Sequence, residues 1–218
     1  MFLSQLTLNP LDRLARKDMS NPYELHRTIS KGFSNDRRAN GRILFRLEPP
    51  ASPQEFGGVV LVQSWNQPDW SELADRRRYL LVDPQVRSIP QLHLKTGEVL
   101  RFRLRANPAR RLAQSGQRVA LLSTGDRIAW LTRKAGQSGF RLVDGTVNHR
   151  DTGFRTFDSV KKDPADPGSE ISCHLTVHMV DYDGLLQVAD PDMLWNSVCN
   201  GIGPAKGLGC GLLSLARV

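Results

Sequence analysis

The sequence predicts an α+β fold made of two similar units in tandem. Segments in which apolar and polar residues alternate recur along the chain, and this alternation is typical of half-buried strands. Segments with helical period, among them residues 21–34 and 126–135, lie between these strands. In each half the order of strands and helices is compatible with a ferredoxin-like unit, which is a split βαβ arrangement on an antiparallel sheet.

The first unit is expected at residues 1–92, with the order strand, helix, strand, strand, helix. These elements are predicted at 2–8, 21–34, 42–47, 59–65 and 68–73. The start of the first helix is well marked, because Asn21 is a typical N-cap residue and Pro22 fits the first helical position. We expect this helix to end at about Phe33 or Ser34.

The second unit is expected at residues 96–218. Its predicted elements are strands at 99–106, 118–123, 171–179 and 184–188, helices at 126–135 and 191–198, and a final strand after residue 211. Residues 181–184 are predicted to form the turn between two of these strands. Residues 160–170 lack periodicity and are rich in turn formers, so we interpret them as a hairpin tip with Lys161 and Lys162 on its rising arm.

Composition excludes several classes of protein. Of the 218 residues 39% are hydrophobic, which is enough for a folded core. A balance of 30 Lys and Arg against 22 Asp and Glu gives a net charge of +8, so the surface attracts polyanions, nucleic acid first. No segment has the pattern of a transmembrane helix or a signal peptide. Three cysteines without a CxxC pair fit a reducing, cytoplasmic location, and no membrane partner is expected.

A glycine-rich segment at residues 201–211 combines five glycines with one lysine. Glycine lets the backbone approach a ligand closely, so that free N–H groups such as those of Gly207 and Gly209 can bind an anion beside Lys206. The segment is not a P-loop, since Lys206 is followed by Gly207, and its spacing does not match the dinucleotide fingerprint. A phosphate-binding loop and a tight turn before an edge strand are both compatible with it.

One face of the first predicted helix carries side chains suited to RNA chemistry. Tyr23, Arg27 and Lys31 recur at every fourth position. His26 lies three residues after Tyr23, and Ser34 follows nearby. In RNA cleavage without metal, a base takes the proton of a 2′-OH, the oxygen attacks phosphorus, and an acid protonates the leaving 5′-oxygen; histidine is suited to this near neutral pH. The alternative is a capped amphipathic helix whose polar face is merely solvated.

Arginines are concentrated in the stretch that begins at Arg101, where six occur without an acidic residue. Arg101, Arg103 and Arg105 alternate along a strand and therefore share one face. The predicted helix that follows adds Arg133 and Lys134. This density favours contacts with phosphates, and the aromatic motif of RNA-recognition sheets is absent.

The sequence gives little indication of a metal site. His174 and His178 lie four apart on a predicted strand and share a face with Thr176, but no carboxylate or cysteine pair accompanies them. We therefore expect no metal and no other cofactor.

Four segments together resemble the CasE subunit family of the CRISPR Cascade complex, and the resemblance covers nearly the whole chain. They are Asn21-Pro-Tyr-Glu-Leu-His-Arg27, Arg101-Phe-Arg-Leu-Arg-Ala-Asn-Pro108, Ile128-Ala-Trp-Leu-Thr-Arg-Lys134 and Gly201-Ile-Gly-Pro-Ala-Lys-Gly-Leu-Gly-Cys-Gly-Leu-Leu-Ser214. The resemblance implies two RRM-like domains and metal-independent cleavage of CRISPR precursor RNA at the base of a repeat hairpin. The implied ends are a 2′,3′-cyclic phosphate, or its opened form, and a 5′-hydroxyl. The implied partners are the repeat RNA hairpin, the mature guide RNA and other Cascade subunits.

The resemblance also implies roles for individual residues. His26 matches the proton-transfer histidine of the family and Tyr23 a tyrosine that some members carry one turn earlier, while the groove-entering hairpin falls on Lys161 and Lys162. We predict His26, Tyr23 and Lys31 as catalytic residues. The predicted RNA-binding residues are Arg27, Ser34, Arg101, Arg103, Arg105, Arg133, Lys134, Lys161, Lys162, Lys206, Gly207 and Gly209.

Two other functions are compatible with parts of the sequence. A non-catalytic RNA-binding scaffold of the same fold would need the arginine-rich strand and the glycine-rich segment but not His26. A two-histidine phosphodiesterase would use paired His-x-Thr motifs, which His26-Arg-Thr28 and His174-Leu-Thr176 match. Those motifs should both lie on central strands, however, and the first is predicted on a helix.

Overall fold

The structure, a computed structural model, describes residues 1–34, 41–50, 56–162 and 170–218, with the side chains of all of these except 159–162 and 170–173. The elements are β1 (Phe2–Leu8), α1 (Arg13–Ser20), α2 (Pro22–Ser30), β2 (Leu44–Leu47), β3 (Gly58–Ser64), α3 (Ser71–Ala74), β4 (Gln85–Ser88), β5 (Val99–Ala106), β6 (Ala109–Arg111), β7 (Arg118–Ala120), α4 (Thr124–Gln137), β8 (Phe140–Leu142), β9 (Asn148–Lys162), β10 (Glu170–Val188), α5 (Pro191–Asn200), a 3₁₀ turn (Lys206–Leu208) and β11 (Leu213–Arg217).

The first sheet has the strand order β2-β3-β1-β4, and each neighbouring pair is antiparallel. This is the order of a ferredoxin-like unit, in which the first and third strands occupy the centre. The alternation in β1 has the expected result, since Leu6 and Leu8 are buried in a core that also contains Leu25 and Ile29 of α2.

The second sheet repeats this order as β11-β5-β10-β8. Its core contains Leu104, Trp130 and Tyr182, all of them buried. The predicted fold class of two ferredoxin-like units is therefore confirmed. The bounds 1–92 and 96–218 of the two domains stay a prediction.

Two hairpins are added to the second sheet. The β6–β7 pair forms a small separate sheet between β5 and α4. Strand β9 pairs along the length of β10, and residues 170–179 of β10 pair with β9 alone, beyond a bulge between Met179 and Val180. These strands are the arms of the predicted hairpin, and residues 163–169 at its tip lie outside the described residues.

The prediction that the first helix ends near Phe33 is wrong, because α2 ends at Ser30 and Lys31 occupies the C-cap position. Gly32 packs so closely on Trp70 that an added Cβ would lie 2.4 Å from the indole ring. The Gly32 carbonyl also accepts a hydrogen bond from the Asp69 N–H (2.8 Å), so tertiary contacts take the chain out of the helix.

The predicted turn at 181–184 is also wrong, because these residues continue β10 without interruption. They pair with β5 on one side, and Tyr182 is fully buried. Asp181 faces Arg105 and Arg150 rather than solvent, and these ion pairs stabilise a strand where the local sequence favours a turn.

Among the described residues, five helices and strands have no counterpart in the sequence prediction, namely α1, β4, β6, β8 and β9. Helix α1 begins at the N-cap Asp12, whose side chain accepts a hydrogen bond from the Ala15 N–H (2.9 Å). Strand β9 has many polar residues, and it is recognised as a strand through its pairing with β10. The predicted second helix is reduced to the single turn α3. In the described part of the chain no helix is both long and apolar enough to span a membrane.

Candidate active site

Helix α2 presents His26 on its half-buried face. The Asn21 side chain accepts hydrogen bonds from the Tyr23 and Glu24 N–H groups, as expected of an N-cap, and this fixes where the helix begins. The Ser30 hydroxyl donates to the His26 carbonyl (2.7 Å). The imidazole packs beside Phe45 of β2, with ring centroids 6.0 Å apart, so the ring has a defined position on the sheet.

An open groove of about 550 Å³ runs along this face of α2. It is lined by Tyr23, His26, Arg27, Ser30, Lys31, Ser34, Gly41, Arg42, Ile43 and Gly207. The structure therefore brings together all five residues that the sequence singles out on the helix face, although Lys31 and Ser34 follow the end of the helix. No carboxylate is among these lining residues, so an incoming phosphate meets cations and neutral donors.

The second domain closes one side of this groove through the glycine-rich segment. Ala205, Gly209 and Gly211 have positive φ values of 60°, 80° and 92°, which fold the segment into a tight loop. A Cβ placed on Gly207 would lie 3.8 Å from the His26 Nε2 atom, so this backbone directly faces the imidazole. Gly209 packs instead against the Phe45 ring.

Lys206 lies on the other side of the same loop, in a second groove of about 530 Å³. Five of the side chains that line this groove are basic, namely Arg111, Arg118, Arg133, Lys134 and Lys206. Burial, and then the charges of Arg42 and Lys134, lower the pKa of the Lys206 ammonium. An anion between these cations would relieve that repulsion. Lys206 lines this second groove and the next residue, Gly207, lines the His26 groove together with Arg42, so the two grooves adjoin at the loop and form one connected basic surface.

Tyr23 is part of a small apolar cluster beneath the β9–β10 hairpin. The cluster contains buried Phe157 and Met179 of the hairpin and Cys210 of the glycine-rich loop, with Tyr23 packed against them. Tyr23 of α2 therefore packs against a cluster to which both the loop and the hairpin base contribute. Burial raises the pKa of the Cys210 thiol to about 12, so this cysteine is an inert packing residue.

Arg101, Arg103 and Arg105 alternate with buried residues of β5 and share one face, as predicted, but that face does not line the His26 groove. Arg105 forms two hydrogen bonds with Asp181 (2.6 and 3.0 Å) and one with the Leu47 carbonyl of the first domain (2.7 Å). Arg103 pairs with Glu48 at 3.2 Å, and Arg101 is exposed beside it. None of the three lines the His26 groove, and Arg105 connects the two domains.

The remaining predicted positions lie on the hairpin. Lys161 and Lys162 pair with Ile171 and Glu170 through the backbone at its outer end. His174 forms an exposed ion pair with Asp158 (2.6 Å) on the same extension. The two His-x-Thr motifs thus lie on a helix and on a hairpin arm, which does not match the phosphodiesterase arrangement.

His178 does not join His174. It is buried at the hairpin base with its Nε2 atom 2.9 Å from Asp151, which also binds Arg127. In the described part of the chain, no group of three or more His, Cys, Asp or Glu residues is arranged to hold a metal ion.

Sequence reasoning missed three basic residues of the connected surface. Arg42 begins the strand predicted at 42–47, where no local signal indicates phosphate binding, and only the fold brings it near enough to Lys206 to lower the pKa of that ammonium. Arg111 and Arg118 belong to the arginine-rich stretch, whose density indicates phosphate contacts, but the β6–β7 hairpin that turns them toward α4 is a tertiary feature.

Comparison with known proteins assigns the chain to a family. A family model described as CRISPR associated protein matches residues 1–217. The chain belongs to this family. It is 44% identical over 222 residues to the CRISPR-associated endoribonuclease Cse3 of Thermus thermophilus, covering 99% of this chain and all of that protein. It is 32% identical over 228 residues to the CRISPR system Cascade subunit CasE of Escherichia coli, covering 99% of each.

A solved structure of the CRISPR endoribonuclease Cse3 bound to a 19-nucleotide RNA superimposes with a TM-score of 0.80 at 41% identity, over the full length of both chains. The resemblance to the CasE family is thereby confirmed, and it extends over both domains of this CRISPR-associated protein.

Proposed function

We propose that this chain is an endoribonuclease that cleaves CRISPR precursor RNA at repeat hairpins and keeps the product within a Cascade-type complex. Membership of the CRISPR-associated family supports this function, as do the names of the relatives, one an endoribonuclease and one a Cascade subunit. The RNA-bound structure of the endoribonuclease Cse3, which the chain matches along its whole length, supports RNA as the substrate.

The observation that carries the proposal is the composition of the His26 groove. A histidine and a tyrosine for proton transfer lie among Arg27, Lys31 and Arg42, and none of the described residues that line the groove is a carboxylate. These groups suffice for internal attack by a 2′-OH, which requires a base, an acid and charge stabilisation at phosphorus. The cleavage we propose is therefore independent of metal.

Each residue has a distinct part in this reaction. His26 transfers a proton at its imidazole, as base or as acid, and Tyr23 hydrogen-bonds to or shuttles the proton at the other oxygen. Lys31 stabilises the phosphorane. Its 3.2 Å ion pair with Glu72 is exposed, and exposed pairs contribute about 1 kcal/mol or less, so a phosphate can replace that carboxylate. Arg27 is likewise exposed, and it pairs at 3.4 Å with the partly buried Glu24.

Binding of the RNA backbone is assigned to the connected basic surface, with Arg133, Lys134 and Lys206 in the second groove. Phosphate contacts of this kind give affinity without sequence readout. The hairpin that carries Lys161 and Lys162 is proposed to contact the repeat stem. Retention of the cleaved guide RNA follows from the same contacts, since they do not involve the scissile phosphate. The cytoplasmic location expected from cysteine usage stays a prediction.

The decisive experiment uses a repeat hairpin RNA with EDTA present and compares the wild type with His26→Ala. We expect EDTA-resistant cleavage at one site, a rate lower by about 10²- to 10⁴-fold in the variant, and unchanged affinity. Gel analysis of the products and a filter-binding titration measure both quantities.

Tight binding without cleavage by either protein would favour the non-catalytic scaffold instead. Cleavage that survives His26→Ala would mean that another residue transfers the proton. Replacing the exposed His174 with alanine is the matched control, and we expect it to leave the cleavage rate unchanged.

A further inference from the structure

The two sides of the His26 groove come from different domains, so something must hold the domains in register. Helix α2 belongs to the first domain and the glycine-rich loop to the second. The 3₁₀ turn of that loop packs on both α2 and β2. Strand β2 is an edge strand of the first sheet, and β11, which follows the loop, is an edge strand of the second.

Arg46 of β2 lies where these two edges meet, and only 2% of it is exposed. Its Nη1 atom donates to the carbonyls of Leu212 (3.0 Å) and Arg103 (3.3 Å) in the second domain. Its Nη2 atom donates to the Ser214 hydroxyl (2.8 Å), and its Nε atom donates to Glu48 (2.7 Å). Every nitrogen of the guanidinium is thus used, and the acceptors on the second domain flank the end of the glycine-rich loop.

The neighbours of Arg46 connect this set of hydrogen bonds, which we call the Arg46 anchor, to the His26 groove. The preceding residue, Phe45, contacts the His26 ring on one side and Gly209 on the other. The Gly211 N–H donates to the Arg105 carbonyl (2.7 Å), which continues the anchor into the loop. A displacement of β11 relative to β2 would therefore move the loop away from the imidazole that it faces.

We propose that Arg46 is a positioning residue that holds the glycine-rich loop against the His26 helix. This inference rests on the proposed function, since it assigns Arg46 a part in the same reaction. The residue is buried and does not line the His26 groove. The planar guanidinium of Arg46 donates hydrogen bonds to two carbonyls, a hydroxyl and a carboxylate at fixed angles. The ammonium of a lysine, on its flexible side chain, does not reproduce this geometry.

The test compares Arg46→Lys with the wild type by single-turnover cleavage of repeat RNA, RNA affinity, and hydrogen exchange of amides 201–211. We expect the cleavage rate to fall by about 10- to 100-fold because the reacting groups are misplaced, with a much smaller loss of affinity. The Gly211 amide should exchange faster at a temperature well below unfolding. Ser214→Ala removes one acceptor only and should give the same changes at smaller size.

Arg87→Lys is the matched control, because Arg87 is exposed on β4 of the same sheet. It should change neither rate nor exchange. Unchanged cleavage and unchanged loop exchange in Arg46→Lys and Ser214→Ala would overturn the proposal, as would a rate loss fully explained by weaker RNA binding. If the wild type does not cleave, the proposed function fails, and the exchange measurement still decides whether Arg46 holds the loop.

Discussion

The two domains have the same strand order but differ in what is added to it. In its described residues the first domain adds helix α1, and its share of the site is on α2, where His26 and Tyr23 lie. The second domain adds two hairpins and a glycine-rich loop, and it carries most of the charge that lines the second groove. The proton-transfer groups and the five basic residues of the second groove thus lie on different copies of one fold.

This division teaches that the fold itself does not determine the chemistry. Both copies provide a sheet and covering helices, and function depends on the segments inserted at the loops. It also makes the junction between the copies essential, since His26 and Gly207 meet only when the domains are correctly placed.

The largest effect is expected at this junction, for Asp181→Asn. Burial opposes ionisation of Asp181, but hydrogen bonds and charge from Arg105, and then from Arg150, hold the pKa of its carboxyl below the usual range. Removing that charge leaves Arg105 half-buried without its partner. We expect a loss of about 3 kcal/mol in the free energy of unfolding at pH 7, measured by urea denaturation.

The pH dependence of the free energy of unfolding checks whether the ion pair of Asp181 causes this loss. A carboxylate with a lowered pKa stabilises the fold above its unfolded value of about 4, and this contribution is lost as the pH falls through the folded pKa. The difference in the free energy of unfolding between wild type and Asp181→Asn should therefore become smaller toward pH 3. A difference that is constant between pH 7 and pH 3 would rule out the ion pair as its cause.

The second-largest effect is expected at Tyr23 in the first domain. Tyr23→Phe removes one hydroxyl and keeps the ring in its apolar cluster. We expect a fall of about 100-fold in the single-turnover rate at saturating protein, with affinity unchanged, because the hydroxyl serves proton transfer. A variant that binds RNA more weakly but cleaves bound RNA at the normal rate would show that Tyr23 serves RNA binding rather than proton transfer.

The smallest effect is expected at Lys206 in the second domain. Lys206→Ala should weaken RNA binding by about 5- to 10-fold for all repeat sequences and reduce the slope of log affinity against log salt by about one. The rate at saturation should stay near that of the wild type. A rate loss at saturation without a change in salt slope would contradict the division of roles between the domains.

Much of the fold could be predicted from the sequence because its signals are local. The alternation in β1 and β5 and the Asn21 cap depend on neighbouring residues, and the structure agrees with them. The end of α2 could not be predicted, since Trp70 approaches Gly32 only in the fold. The continuous strand at 181–184 likewise depends on distant arginines that override a local turn signal.

The same distinction holds for the candidate site. The helix face with His26, Arg27 and Lys31 follows from helical spacing, and the groove contains all three. That Gly207 faces His26 depends on how the two domains pack, which no local pattern encodes. Arg105 matches the alternating pattern of a basic face, yet its position between two domains makes it an interdomain contact.

The position of the glycine-rich loop along the chain has a consequence for synthesis. A ribosome makes the His26 helix early, and residues 201–214 emerge long after it. Until then α2 lacks the backbone that faces its imidazole, and Arg46 lacks its acceptors on Leu212 and Ser214. A nascent chain that ends before this loop can therefore carry the histidine without being a complete nuclease.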